Sequence, residues 1–233
     1  MRFPSANSWS ADTAEARRYW ESQFAVARKF MASRGGQDSV LIEVAAQHPL
    51  VNGTKPGSEF TARLDRGIEL FRALQKEYQL VEMYVPGSRH AHLGTADDLS
   101  LSNAGTAYLR EAGIPPEVLH GDDLNTTYKG NAGVYNSADE CFVTASYFKD
   151  ADFGRLISVV SPVQLFRKML HYAAFGVLPL SYTAPTDSTY HDYVEEAFDN
   201  IPYVLLTDHD LQSAESSAAA EARAERMPDR SRQ

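Results

Sequence analysis

Ser39-Val-Leu-Ile-Glu-Val-Ala-Ala46 is the stretch on which the fold turns. It is short, nearly continuous in apolar residues and bounded by turn residues, which suits a strand covered on both faces. The pattern then recurs. Leu80-Val-Glu-Met-Tyr-Val85 reads as a second buried strand, Glu117-Val-Leu-His120 as a short third and Leu156-Ile-Ser-Val-Val160 as a fourth. Gly176-Val-Leu-Pro-Leu-Ser-Tyr182 reads as a fifth, at an edge, because Pro179 would break a central ladder.

Helical patterns separate these runs. Trp20, Phe24, Ala27 and Met31 share one face of a helix from Asp12 to Arg34, which Asp12 and Glu15 open and Gly35-Gly36 closes. Phe60, Leu64, Ile68 and Phe71 form the next stripe. A helix from Ser102 to Ala112 has Ser102 as its expected N-cap, Gly113 at the left-handed position beyond it and Pro115-Pro116 to stop it. Val134, Ala138, Cys141, Ala145 and Phe148 mark a further helix, and Pro162 to about Ala174 the last. Strands alternating with helices imply βαβ units, and right-handed crossovers put helices on both faces. The expected fold is a three-layer, Rossmann-like α/β domain with a mostly parallel sheet of about five strands. An N-terminal helix and a C-terminal helical extension flank it, giving a helical segment over 1–36, the domain over 37–212 and a flexible or helical tail over 213–233.

The bulk numbers narrow the partners. The chain has 233 residues, of which 43% are apolar, enough for a sizeable core. A net charge of -9 argues against a duplex-binding face and so against nucleic acid, while leaving room for a small anionic ligand. The single cysteine, Cys141, forbids an internal disulfide and fits a reducing compartment. No apolar run approaches the roughly 20 residues of a membrane helix, and Met1-Arg2-Phe3-Pro4-Ser5 has no apolar core for a signal peptide. The expected setting is the cytoplasm, with no membrane partner.

In open parallel sheets, ligands bind beyond the carboxyl ends of the strands. Four connections leave those ends: Gln47 to Glu59, Pro86 to Leu101, Gly121 to Asn131, and the tight Ser161-Pro162 turn. In Ser161-Pro-Val-Gln-Leu-Phe-Arg-Lys168 a buried strand runs straight into a helix, whose first free amides and dipole make an anion site that Arg167 and Lys168 could close. Ser161 and Gln164 equally fit a capping box that needs no ligand. The loop from His120 to Asn131 holds Asp122 and Asp123, which suit either Mg²⁺ or an Asx turn. Arg89, His90, His92, Asp97 and Asp98 follow the second strand as a metal-binding set or a solvated loop. His48, after the first strand, is placed to act as a general base. His171, His191 and His209 read as structural. No G-x-G-x-x-G, P-loop, H-E-x-x-H or G-x-S-x-G motif occurs.

The order of motifs from about 38 to 185 resembles the YdcF/SanA/ElyC-like family of Rossmann-like domains. Arg63-Leu-Asp-Arg-Gly-Ile-Glu-Leu-Phe71 is similar to that family's first helix, and Val85-Pro-Gly-Ser88 to its second strand end. Tyr108-Leu-Arg-Glu-Ala-Gly-Ile-Pro115 resembles its "LGVP" helix, Asn125-Thr-Thr-Tyr-Lys-Gly-Asn131 its Asn-Thr loop, and Val160-Ser-Pro-Val-Gln-Leu-Phe-Arg167 its final motif. Three positions depart from the pattern. Ala45-Ala46-Gln47-His48 stands where that family carries glycines and Gln164 where it has His, and the Glu of the Asn-Thr loop is matched by Gly130 or displaced by an insertion. The resemblance implies a nucleotide-like ligand, with S-adenosylmethionine proposed for one member of the family, and links other members to cell-envelope metabolism.

The expected function is an enzyme acting by hydrolysis or group transfer on a nucleotide-like or phosphorylated metabolite. His48 or Asp122 would do the acid–base work. Ser88, Arg89, Asn125, Thr126, Asn131, Ser161, Gln164, Arg167 and Lys168 would hold the substrate. A non-catalytic binding protein of the same fold is one alternative. A scaffold or homodimer built on Tyr19, Trp20, Phe24 and Phe30 is the other.

Overall fold

The computed structural model describes residues 38–47, 49–89, 99–122, 133–134, 136–186 and 188–197. The expected N-terminal helix and the tail lie outside the described residues. Five strands form the main sheet: β1 (Ser39–Val44), β4 (Leu80–Pro86), β5 (Leu119–Asp122), β6 (Arg155–Val160) and β7 (Leu180–Thr183). Their spatial order is β5-β4-β1-β6-β7, and every pairing is parallel. Counted along the chain these five run 3-2-1-4-5, the doubly wound Rossmann-like order. The two short strands β2 (Leu50–Val51) and β3 (Lys55–Pro56) pair antiparallel in the connection after β1. Asn52 and Gly53 turn that hairpin with φ of 53° and 68°, the left-handed region those two residues tolerate best.

Two helices cover each face. On one side α1 (Ser58–Leu74) and α2 (Leu101–Glu111) bury Phe60, Leu64, Ile68 and Leu109 against Val40, Ile42, Val44, Met83 and Val85. The fit there is close: a Cβ added at Gly67 would lie 2.8 Å from Val44 Cγ2. On the other side α3 (Ser137–Asp150) and α4 (Leu165–Ala174) bury Cys141, Val143, Ala145 and Tyr172 against Leu41, Tyr84 and Leu156. A short α5 (Tyr190–Glu195) follows β7, opened by a capping box between Thr189 and Asp192.

Several boundaries differ from the sequence pattern, each for a local reason. Ser100, not Ser102, caps α2, because its side chain accepts from the Asn103 amide, while Ser102 is buried against β5 at Gly121. Pro116 opens a 3-10 turn (Pro116–Val118), so the third strand begins two residues later, at Leu119, and runs to Asp122. Asn136 caps α3 through two backbone amides, leaving Val134 outside the helix. Gly176 has φ of 68° and belongs to the turn after α4; β7 starts only at Leu180 and sits at the sheet edge, as Pro179 requires. Among the described residues no helix is long and apolar enough to cross a membrane.

Candidate ligand site at the ends of β1 and β6

The central strand β1 lies between β4 and β6, and the chain leaves β1 toward β4 but leaves β6 toward β7. The connections beyond these two neighbouring strands therefore diverge, which opens the crevice where doubly wound folds bind ligands. Gln47 follows β1. Ser161 follows β6 and begins a 3-10 turn (Pro162–Gln164) ahead of α4. Glu59 and Arg63 come from the first turns of α1, and Thr186 and Ser188 follow β7.

Arg63 ties this edge together. It is fully buried, and its Nη1 donates to the carbonyls of Ala45 and Ala46 at 3.0 Å each. Nη2 donates to Gln47 Oε1 at 2.7 Å and to Ser161 Oγ at 2.6 Å, and Nε reaches the same hydroxyl at 3.0 Å. The two carbonyls lie where the strand leaves its ladder, so the guanidinium supplies donors that the sheet no longer can. Burial pulls the Arg63 pKa down, and the fields of Glu59, Glu140 and Glu43 oppose that. Ser161, also fully buried, passes its own proton to Glu59 Oε1 at 3.2 Å. The same carboxylate oxygen accepts from the hydroxyl of Thr186, and from Ser188 at 3.3 Å.

This wiring fixes two amides. Arginine has no acceptor, so Gln47 must turn Oε1 toward it; Gln164 donates to that same oxygen through Nε2 at 3.2 Å. Among the described residues, Gln47 Nε2 and Gln164 Oε1 have no partner, and both side chains are half-buried.

The arrangement corrects the sequence-based picture of the Ser161 turn. The Ser161 side chain makes no cap hydrogen bond, and the first turn is 3-10, so the capping box with Gln164 is not formed. Lys168 does not face an anion: it is 1% exposed and donates to Glu43 and, at 2.9 Å, to Glu140. Burial alone would lower its pKa, yet the two carboxylates outweigh that and raise it. Burial pushes Glu140 up, against the pull of Lys168. Arg167 Nε lies 3.0 Å from Glu196 Oε1.

Glu43 belongs to a polar row that crosses the sheet beneath α3 and α4. Register places Ser181, Ser158, Glu43, Tyr84 and His120 side by side on β7, β6, β1, β4 and β5. Ser158 donates to Glu43. Tyr84 donates to Asp122 Oδ2 at 2.7 Å, and burial with that carboxylate raises its pKa. His120 Nε2 and the Tyr147 hydroxyl both lie 2.8 Å from Glu82 Oε2.

The remaining expected site residues scatter. Asp122 is buried at the end of β5, holding the Tyr84 hydroxyl and, through its carbonyl, the Gly87 amide at 2.7 Å. Ser88 is buried and exchanges hydrogen bonds with the backbone of Val134. Arg89 is exposed beyond β4. His48, His90, His92, Asp97, Asp98, Asp123, Asn125, Thr126, Gly130 and Asn131 lie outside the described residues. Asp122 accepts from Tyr84, no group of three His, Cys, Asp or Glu among the described residues is placed to hold a metal, and Asp123, the other half of the expected Mg²⁺ pair, lies outside the described residues. His171 is indeed buried in the α4 interior.

Sequence reasoning overlooked Arg63, Glu59, Gln47, Glu43 and Glu140. The signal for Arg63 was present, since it falls three residues after Phe60 on the stripe that continues through Leu64, Gly67 and Ile68. A cation at a core position of an amphipathic helix needs buried acceptors. Glu43, alone among apolar neighbours in β1, carried the same signal. No protein-family model, curated protein or solved structure matches the chain.

Proposed function

We propose that this protein binds a small nucleotide-like metabolite at the carboxyl edge between β1 and β6, and acts on it by hydrolysis or group transfer. One observation carries the proposal: at the topological switch point the buried Arg63–Ser161 pair presents Glu59, Gln47 and Gln164 as half-exposed polar groups. The resemblance to the YdcF/SanA/ElyC-like family, carried by motif order, supports the same ligand class and brings S-adenosylmethionine among the compounds to try. His48 comes four residues after the end of β1, next to Gln47, and is the proposed general base.

A non-catalytic binding role is the second reading, and two observations favour it. The Asp122 carboxylate is buried and engaged by Tyr84, and Gln164 cannot titrate where relatives carry His. The test is a thermal-shift panel of nucleosides, nucleotides, phosphorylated sugars and S-adenosylmethionine, followed by turnover assays on compounds that bind. At least one nucleoside-containing compound should raise Tm, and the shift should vanish in a Gln47→Leu/Gln164→Leu variant. A flat panel contradicts the proposal. If turnover is found, His48→Ala should lower it roughly 10²–10⁴-fold with binding retained; unchanged turnover removes His48 as the base.

A further inference from the structure

The hydrogen-bond directions at the switch point go further than the presence of a ligand. Glu59 spends Oε1 on the hydroxyls of Ser161, Thr186 and Ser188, and Oε2 has no partner among the described residues. Gln47 keeps its amide nitrogen without a partner among the described residues, because its oxygen serves both Arg63 and Gln164. Gln164 is held the opposite way, with its oxygen the end that has no partner among the described residues. These termini hang on one unbroken chain of contacts, from Glu59 through Ser161, Arg63 and Gln47 to Gln164, with steps of 3.2, 2.6, 2.7 and 3.2 Å. The edge therefore offers an acceptor, a donor and a second acceptor, and the first acceptor carries negative charge.

Among the described residues, the two buried cations at this edge are already engaged. Arg63 spends its Nε, Nη1 and Nη2 groups on neutral oxygens, and Lys168 is buried between two carboxylates. Arg167 faces Glu196 at 3.0 Å. A phosphate placed here would meet the Glu59 carboxylate while the donors of Arg63 and Lys168 are already engaged. A vicinal diol matches this pattern of acceptor, donor and acceptor instead. Its two hydroxyls donate to Glu59 Oε2 and Gln164 Oε1, and an ether or hydroxyl oxygen beside them accepts from Gln47 Nε2. Hydrogen bonds to a charged acceptor in a partly desolvated site are the strong kind.

We infer that the switch-point crevice reads the ribose diol of its ligand through Glu59, Gln47 and Gln164, and does not read a phosphate there. The inference rests on the proposed nucleotide-like ligand and deepens it: a compound lacking the diol should be rejected, and the phosphate should matter little at this position.

The direct test uses the full chain and matched probes: each common ribonucleoside, its 2′-deoxy counterpart, its 5′-monophosphate and free ribose, titrated by calorimetry. A ribonucleoside should bind roughly 10–100-fold tighter than its 2′-deoxy form, the range for one hydrogen bond to a charged group. Its 5′-monophosphate should bind within about threefold of it, and free ribose far more weakly than either. Glu59→Gln should remove most of the ribo-over-deoxy preference while retaining the unliganded Tm within a few degrees. The preference in the wild-type chain decides the matter without any variant. Equal binding of ribo and deoxy forms overturns the diol assignment while leaving the proposed function standing. Binding only of phosphorylated forms overturns it likewise. If no nucleoside or nucleotide binds, both fall.

Discussion

The same five strands build two unlike faces. Toward α1 and α2 the sheet presents Leu180, Ile157, Ile42, Met83 and Leu119 in one register row, all apolar. One residue further along, toward α3 and α4, the row reads Ser181, Ser158, Glu43, Tyr84 and His120. Stability on the first face comes from area removed from water, which is non-directional and tolerant of small changes of shape. On the second it depends on partners: Glu43, Glu140 and Lys168 are tolerable inside only because they meet each other. The apolar face makes a firm support for α1, whose first turns carry Glu59 and Arg63 to the crevice.

If the faces differ in this way, removing one partner on the polar face should cost more than removing a methyl group on the apolar one. Lys168→Met strands two buried carboxylates and should destabilise the protein by about 3–5 kcal/mol in urea unfolding. Adding Glu43→Leu to that variant should recover part of the loss; a fully additive loss would show that the pair is not coupled.

The next effect is a pH dependence. His171 is buried beneath α4 beside Arg167 and Lys168, and burial first, then those charges, push its pKa down to about 3. Its ordinary value of 6.5 applies in the unfolded chain. Between these values the unfolded state binds the extra proton, so stability falls as pH falls, by about 1.4 kcal/mol per pH unit. Glu140, raised in the fold, acts in the opposite direction, losing stability as pH rises from the ordinary carboxylate range through its folded value. Comparing wild type with His171→Gln isolates the histidine: the variant should show a visibly shallower slope between pH 6 and 4 in chemical denaturation. Identical slopes would mean that His171 takes up its proton as readily in the fold as in the unfolded chain.

On the apolar face Ile42→Val should cost only about 0.5–1.5 kcal/mol. A loss as large as that of Lys168→Met would erase the distinction between the faces. Smallest of all, the exposed Arg66–Glu69 pair at 2.7 Å should contribute less than about 0.5 kcal/mol, read as the change in Tm of Arg66→Ala with and without salt.

Much of the architecture was legible because it follows periodicity. The run from Ser39 to Ala46 and the stripe through Phe60, Leu64, Ile68 and Phe71 gave β1 and α1 directly, and Pro179 put β7 at an edge. Boundaries slipped where one polar atom decides them, as when Ser100 captured the Asn103 amide ahead of Ser102. The site was less legible for a different reason. Lys168 and Arg167 look alike in a string as candidate anion ligands, but helical phase sends Lys168 inward to Glu43, which lies 125 residues away in sequence. Arg63 was the reverse case, a surface-type residue at a core position whose partners at Ala45, Ala46 and Ser161 come together only when β1 and β6 pair.

The central claim, that ligands bind where β1 and β6 end, is tested most directly by hydrogen–deuterium exchange with the compound giving the largest thermal shift. Slower exchange should appear in the segments spanning 45–47, 58–64 and 161–166, with the amino ends of the strands near 80 and 155 unchanged. Protection confined to those amino ends, with the 161–166 segment unaffected, would contradict it.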